Sequence, residues 1–281
     1  LPFVVMLRSS LGFNGAKYFG FIRFLVGVFL FGVQTYFLSK VFGYLLRILV
    51  FSLDPSLLDR ELFLTFFLGM NVIDWSAFFI SIISQFFLFS IGMNFNKKLI
   101  KFSALAVYLG MIIFFFTVLL SDVKLTVNAF KDVLIFENFT NQNNLGPIIT
   151  ITGTMFAYFS IIILNYGDFS RYVKNDSELK KGNLSLILNL IIFTFFALFI
   201  VSGVDAFLKQ DQENLSRILT NPTDIIGKLD NLIITNLSLI FIIIASASTN
   251  LIVNFIPAQY TLINFNPSSL NLKNSSIVIC I

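Results

Sequence analysis

The sequence has little of three residue classes: histidine is absent, cysteine occurs once, and charged residues make up 12% of the 281 positions. Without histidine, the chain lacks the commonest general base and metal ligand near neutral pH. Because Cys280 is alone, the sequence contains neither a disulfide framework nor a cysteine metal cluster. A soluble domain carries about one quarter charged residues, so this composition argues against one. The placement of cations in loops accounts for the net charge of +4, which requires no nucleic-acid partner.

Hydrophobic residues, in contrast, make up 57% of the chain and include 37 phenylalanines. A membrane-spanning helix needs about 20 predominantly apolar residues, and the sequence shows no alternating β pattern and no repeat. We therefore predict an all-α, polytopic membrane protein with six spans and the start of a seventh, embedded in the lipid bilayer. The predicted spans are residues 21–51, 75–93, 99–120, 147–166, 184–207 and 232–256, with the seventh beginning at Ser275.

The segments between the spans are predicted as loops, at residues 56–72, 121–144, 168–183 and 209–230. Asp74 is a candidate N-cap for the second span. Alternate loops are rich in lysine and arginine and poor in acids, for example 97–101 and 171–181. The excess of cations predicts that these loops face the cytoplasm, which makes the chain a multi-pass protein of the cytoplasmic membrane.

The ends of the sequence predict an internal piece of a longer protein. The chain begins with Leu1, and its last apolar run, SSIVICI, stops after one or two helical turns.

A polar cluster interrupts the last complete span. Within FIIIASASTNLIVNFIPAQYTLINFNP (residues 241–267), hydroxyl and amide side chains occupy little more than two turns; they are Ser246, Ser248, Thr249, Asn250 and Asn254. Each such group needs a partner that hydrocarbon cannot supply. Two interpretations remain open: small and hydroxyl residues that pack one helix against another, or a ligand or ion site along a transport pathway.

Three motifs resemble the nucleobase–cation symporter-1 family, which includes cytosine, uracil, thiamine, allantoin and hydantoin permeases. They are STNLIVNFIP (residues 248–257), PFVVMLRSSLGFNGA with FGVQTY (2–16 and 31–36), and NYGDFSRY (165–172). The resemblance implies one transporter domain over residues 1–281, which corresponds to helices three to eight and the start of nine. It also implies a leucine-transporter-like fold with inverted repeats, and cation-coupled uptake of a planar nitrogen heterocycle by alternating access.

The resemblance also implies a substrate site. Gln34 and Asn254 match the family's hydrogen-bonding amides, and Phe159 matches an aromatic that stacks on the substrate, with Tyr158 before it. Leu30 stands where the family has a tryptophan, which retains an apolar wall but removes a stacking face. On the residues alone, a bond from Gln34 to a neighbouring helix is slightly favoured, and the motif turns the preference to the site. Phe159 on its own is an ordinary packing or lipid-facing side chain, and its role rests on the resemblance.

Ala245, Ser248 and Thr249 are spaced i, i+3, i+4 and therefore share one helix face. The family's sodium site uses the carbonyl at the first position and the hydroxyls at the other two, so the resemblance implies a transported sodium ion here. On a straight helix Asn254 lies about 140° around from Thr249, so substrate and ion would touch different sides. The predicted spans carry no carboxylate near their middle, which favours sodium over protons.

We expect no other cofactor and a monomer. Asp168 and Arg171 match a family signature for which a structural role in the loop is favoured, and Pro257 predicts a bend in the last span. The alternatives are a proton-coupled permease of other small solutes, a channel, and a membrane-embedded enzyme. An enzyme would need a base beside its hydroxyl nucleophile, and a channel would need a continuous polar lining.

Overall fold

The computed structural model describes residues 3–59, 64–135, 142–211 and 232–281. Within these ranges the chain is helical apart from short turns and one isolated bridge between Phe67 and Met70. The predicted all-α fold is therefore confirmed.

Nine α-helices are described. They are α1 Phe3–Leu53, α2 Val72–Ser90, α3 Met93–Ser121, α4 Val123–Val133, α5 Gln142–Ser170, α6 Asp176–Asp211, α7 Leu232–Asn250, α8 Ile256–Phe265 and α9 Leu272–Cys280. A 3₁₀ turn, Pro55–Asp59, follows α1, and a π-helical turn, Leu251–Phe255, joins α7 to α8. Gly12 interrupts α1 with φ 69° and ψ −176°, a backbone conformation that residues with a Cβ rarely adopt.

Five of the described helical segments are long and apolar enough to cross a membrane, namely α1, α2, α3, most of α6, and α7 with its continuation into α8. The remaining predicted span, residues 147–166, lies within α5. These helices make the chain a multi-pass membrane protein, and the partial seventh span corresponds to α9.

Two predicted loops are wrong in part. Residues 121–144 contain α4, and residues 168–183 contain the end of α5 and the first turns of α6. The sequence of α4, VKLTVNAFKDV, is too polar for a span, yet its apolar residues fall on one helical face. The predicted loop 209–230 lies mostly outside the described residues.

The predicted cap of α2 is also corrected. The N-cap is Asn71, whose side chain accepts from the Asp74 N–H at 2.9 Å, and Asp74 accepts from the Asn71 N–H in return. This reciprocal capping box satisfies two backbone donors at the start of the span. Asp74 also forms an ion pair with Arg47 of α1 at 2.7 Å. A Cβ at Gly43 would lie 3.2 Å from the Arg47 guanidinium, so the glycine makes room for the pair.

The chain divides into two compact units. Unit A comprises Leu1–Phe3 and Tyr108–Ile225, and unit B comprises Val4–Val107 and Ile226–Ile281. In unit A, α6 packs closely on α3 and α4: a Cβ at Gly203 would lie 2.5 Å from Val118 and 2.8 Å from Thr126. In unit B, the buried rings of Phe31 and Phe89 both pack against Phe255, with centroids 5.6 and 5.1 Å away.

Candidate functional site

The π-helical turn Leu251–Phe255 is the main irregularity in the last span. Its wider turn is closed by the Ile256 N–H, which donates to the Leu251 carbonyl five residues earlier. Such turns are rare and frequently mark functional positions. Pro257 follows at the start of α8 and has no N–H to continue the α-helical pattern. The bend predicted at Pro257 stays a prediction, and the residues directly before Pro257 form the π turn.

Four polar side chains are buried next to this turn in unit B. They form a hydrogen-bond network of one hydroxyl and three amides: Thr35 on α1, Gln85 on α2, Asn250 at the end of α7, and Asn254 within the π turn. Asn254 Nδ2 donates to Asn250 Oδ1 at 2.9 Å, and Asn250 Nδ2 lies 2.8 Å from Gln85 Oε1. The network therefore joins three helices through the interior of the unit.

Thr35 connects the network to the backbone. Its hydroxyl donates to the Phe31 carbonyl at 2.7 Å and accepts from Gln85 Nε2 at 3.0 Å and Asn250 Nδ2 at 3.1 Å. Gln85 Nε2 also donates to the Ser81 carbonyl at 3.1 Å. Burying this many polar groups in a span is tolerable because they satisfy one another.

The predicted substrate amides occupy different surroundings. Asn254 is buried, with 4% of its surface exposed, while Gln34 is half-buried one residue before Thr35. Gln34 Nε2 lies 3.4 Å from Ser246 Oγ on α7, a weak hydrogen bond at the long end of the accepted range. The structure thus shows the helix-to-helix contact that was the alternative role for Gln34. Leu30 lies one turn earlier on α1 and is half-buried.

The three oxygens of the predicted sodium site lie together. Ser248 Oγ and Thr249 Oγ1 each donate to the Ala245 carbonyl at 2.9 Å, with Ser248 buried and Thr249 half-buried. Bonds of this kind are common for hydroxyls inside helices, and Ser81 makes one to the Ala77 carbonyl at 2.8 Å. The described residues contain no group of three or more acidic, cysteine or histidine side chains that could hold a metal. The metal role of these three residues stays a prediction.

Phe159 and Tyr158 lie on α5, in unit A. Phe159 is half-buried, and the side chain of Tyr158 lies outside the described residues. Their proposed contact with a planar ring stays a prediction. At the end of α5, buried Asp168 accepts from the Phe3 N–H at 3.3 Å, while Arg171 donates to the Tyr172 hydroxyl at 2.9 Å.

Sequence reasoning missed Thr35 and Gln85. The sequence feature that could have indicated the network is Gln85, the single amide side chain within the apolar helix α2. An amide at that depth needs a polar partner, but the sequence does not say which helix supplies it.

These observations define a helical membrane protein that keeps a buried polar cluster at a distorted turn of an otherwise apolar span. Comparison with known proteins gives its family: residues 1–281 match the family described as permease for cytosine/purines, uracil, thiamine and allantoin. The chain belongs to this family, which confirms the resemblance found in its motifs. Because the family and the relatives below are permeases, the prediction that the chain is not an enzyme is also confirmed.

Three curated relatives are similar to the chain. The purine-uracil permease NCS1 of Arabidopsis thaliana is 24% identical, over 95% of this chain and 42% of the relative. The putative allantoin permease of Escherichia coli K12 is 24% identical over 99% and 55%, and the allantoin permease of Bacillus subtilis 168 is 23% identical over 99% and 54%. The chain therefore spans about half the length of the curated relatives it matches. No solved structure is significantly similar.

Proposed function

We propose that this chain is part of a secondary transporter that carries a planar nitrogen heterocycle across the cytoplasmic membrane together with sodium. The transporter works as a monomer by alternating access, in a leucine-transporter-like fold of inverted repeats. Family membership and the names of the relatives, which are purine-uracil and allantoin permeases, support this class of substrate. The observation that carries the proposal is the buried Asn254 amide in the π turn of the last span.

Irregular backbone at membrane depth is tolerated where it is buried in protein or lines a cavity. Transporters place substrate sites beside interrupted helices near the middle of the bilayer. The turn Leu251–Phe255 supplies such an interruption, and Asn254 supplies a side chain that can both donate and accept. Nucleobases and allantoin carry alternating N–H and carbonyl groups, which an amide can pair with directly.

Gln34 provides the second amide of the proposed site. Its hydrogen bond to Ser246 is long, at 3.4 Å, and its side chain is only half-buried. A substrate can displace such a contact at little cost, because the bond is weak. Leu30, one turn away, offers an apolar wall without the stacking energy of an aromatic ring.

Sodium is the proposed coupling ion, bound by the Ala245 carbonyl and the hydroxyls of Ser248 and Thr249. Both hydroxyl oxygens already lie 2.9 Å from the Ala245 carbonyl oxygen, and oxygen ligands suit a hard monovalent cation. The site is on α7, immediately before the π turn that carries Asn254. An ion that stabilises the end of α7 can therefore favour the conformation that binds substrate, and the coupling is reciprocal.

The test is binding of uracil, cytosine and allantoin to the purified full-length protein. In Asn254→Ala and Gln34→Ala we expect the affinity of the ring that binds wild type to fall about ten- to a hundred-fold, since a lost buried hydrogen bond costs about 1–3 kcal/mol. Gln259→Ala is the matched control, because it also removes a buried amide, one that bonds the Leu272 carbonyl and Ser276. It should leave affinity unchanged.

Wild-type affinity in both Asn254→Ala and Gln34→Ala would place the substrate site elsewhere. If none of the three rings binds wild type, the heterocycle assignment is wrong.

A further inference from the structure

We infer that Asn250 is a positioning residue that orients the Asn254 amide with its oxygen available as an acceptor, so that the transported ring presents an N–H group to Asn254. This inference rests on the proposed function, because it takes Asn254 as a substrate contact. It states that Asn254 accepts the hydrogen bond from the substrate and that Asn250 sets this orientation. It therefore requires an N–H group on the substrate. The backbone carbonyls of Ser81 and Phe31 set the orientation of the amides, because a carbonyl oxygen can only accept hydrogen bonds.

The first carbonyl fixes Gln85. One end of the Gln85 amide lies 3.1 Å from the Ser81 carbonyl oxygen. Since that oxygen cannot donate, the amide end facing it is the NH₂ group. The other end, Oε1, is therefore an acceptor, and it faces Asn250 at 2.8 Å.

The second carbonyl fixes Asn250 independently. One end of its amide lies 3.3 Å from the Phe31 carbonyl and 2.8 Å from Gln85 Oε1, two acceptors. That end must be the NH₂ group. The opposite end, Oδ1, is therefore the atom that faces Asn254.

The orientation of Asn250 in turn fixes the orientation of the Asn254 amide. Because Asn250 presents an oxygen at 2.9 Å, Asn254 must turn its NH₂ group toward Asn250. Its Oδ1 is left as the acceptor for another partner, and within the described residues it receives no hydrogen bond. Among the described residues Asn96 Oδ1 is the one fully enclosed side-chain polar atom without a hydrogen-bond partner, so Asn254 Oδ1 keeps some exposure and can accept from a ligand. A ring N–H satisfies it, whereas a ring carbonyl or an N-methyl group at the same place does not.

The wild-type test compares uracil with 1-methyluracil and 3-methyluracil in the full-length protein. A site built to bond an N–H discriminates strongly against a ligand that lacks it. We expect one methyl isomer to bind about ten- to a hundred-fold more weakly than uracil. Equal affinity for uracil and both isomers overturns the inference. If uracil does not bind, the same comparison is made with allantoin or cytosine and its N-methyl derivatives.

Two variants of Asn250 separate positioning from stability. Asn250→Leu removes the oxygen that holds Asn254, so the preference for the N–H ligand should fall at least several-fold. Asn250→Asp keeps an oxygen facing Asn254 and should retain the preference. Both variants lose the bonds to Phe31 and Gln85, so both should be less stable. If Asn250 only stabilises the fold, Asn250→Leu and Asn250→Asp should change the affinity ratio between uracil and its N-methyl isomer by the same factor. That result overturns the inference.

A ligand-free measurement keeps the inference testable if no heterocycle binds, which is the outcome that refutes the proposed function. Asn254→Asp places an acceptor against Asn250 Oδ1, so it should unfold at a lower temperature than Asn254→Leu. With the opposite orientation, Asn250 would donate to the new carboxylate, and Asn254→Asp would be the more stable of the two. That order overturns the assigned orientation whether or not a ligand is found.

Discussion

Asn250 on α7 donates to Gln85 on α2 across 2.8 Å, and both side chains are almost fully enclosed. This bond joins two spans that are far apart in the sequence, immediately before the π turn that carries Asn254. A movement of α2 relative to α7 must therefore either break the bond or carry the turn with it. The network is thus a mechanical connection between helix packing and the proposed substrate contact.

Replacing Gln85 by leucine should destabilise the protein. The substitution keeps the side-chain size but leaves Asn250 with one partner fewer and removes the bonds to Thr35 and Ser81. A buried polar group that loses its partner costs about 1–3 kcal/mol, so we expect the unfolding temperature in detergent to fall. The control is Ser84→Ala, one residue away, which loses a single bond to the Ser81 carbonyl. Equal unfolding temperatures for Gln85→Leu and wild type would show that the network does not stabilise the fold.

Adding a methyl group at Gly27 should disturb the π turn. A Cβ there would lie 3.0 Å from Ala258 Cβ, closer than most packed atoms lie, and would touch the Asn254 carbonyl oxygen at 3.4 Å. Gly27→Ala should therefore weaken uracil or allantoin binding, by about tenfold for a shift equivalent to 1.4 kcal/mol. Gly32→Ala on the same helix is the matched control, because a Cβ at Gly32 meets nothing within 4 Å. If the two variants bind alike, close packing at Gly27 is not important for the site.

The sequence predicted the helical spans well because apolar runs of about 20 residues have few other structures available. It missed α4, since VKLTVNAFKDV has the composition of a loop and its apolar face becomes evident only with a partner to cover it. It also assigned the N-cap of α2 to Asp74, although Asn71 accepts from the N3 backbone and Asp74 supplies the return bond. Both residues are good caps by type, so only the backbone geometry distinguishes them.

The candidate site was predictable only in part. Motifs identified Asn254 and the oxygens at 245, 248 and 249, which are close in sequence and lie on one helix. The partners of Asn250 are 165 and 215 residues away, at Gln85 and Thr35. Contacts of that separation depend on how the helices pack, and the local pattern does not contain that information.

The packing of α6 in unit A gives a prediction independent of the site. A Cβ at Gly203 would lie 2.5 Å from Val118 and 2.8 Å from Thr126, so Gly203→Ala forces the helices apart. Overpacking of this kind costs about 1–3 kcal/mol, measurable as a lower unfolding temperature. Gly182→Ala, in the first turns of the same helix with nothing within 4 Å, should be neutral or stabilising by up to about 1 kcal/mol. Equal destabilisation by both would point to a general effect of the substitution.

The start of α2 should be more sensitive to Asp74 than to Arg47. Asp74→Ala removes the ion pair and half of the capping box, whereas Arg47→Ala removes the pair alone. Arg47→Ala also leaves a buried carboxylate, though one still bonded to the Asn71 N–H. Because a lost capping interaction costs about 1 kcal/mol, we expect the order of unfolding temperature to be wild type, Arg47→Ala, Asp74→Ala. The reverse order of the two variants would show that the unpaired carboxylate costs more than the cap.

Thr249→Val tests the proposed sodium site, because it nearly preserves the shape of the side chain and deletes one oxygen. In wild type, sodium should raise the affinity for the heterocycle, since coupled ligands strengthen each other's binding, typically by about 1–3 kcal/mol. In Thr249→Val the same increase should require a much higher sodium concentration, while affinity without sodium changes little. The measurement is a titration of substrate affinity against sodium at constant ionic strength.

Thr194→Val is the matched control for this titration. Thr194 on α6 makes the same type of bond, from its hydroxyl to the carbonyl four residues earlier, at 2.8 Å compared with 2.9 Å for Thr249. Both variants therefore lose a hydroxyl-to-carbonyl hydrogen bond within their own helix, and only Thr249→Val removes a proposed sodium ligand. If both leave the sodium dependence intact, Thr249 serves the packing of α7 rather than an ion. If wild-type binding responds to lower pH and not to sodium, the transporter is proton-coupled and the three oxygens at 245, 248 and 249 do not form the coupling site.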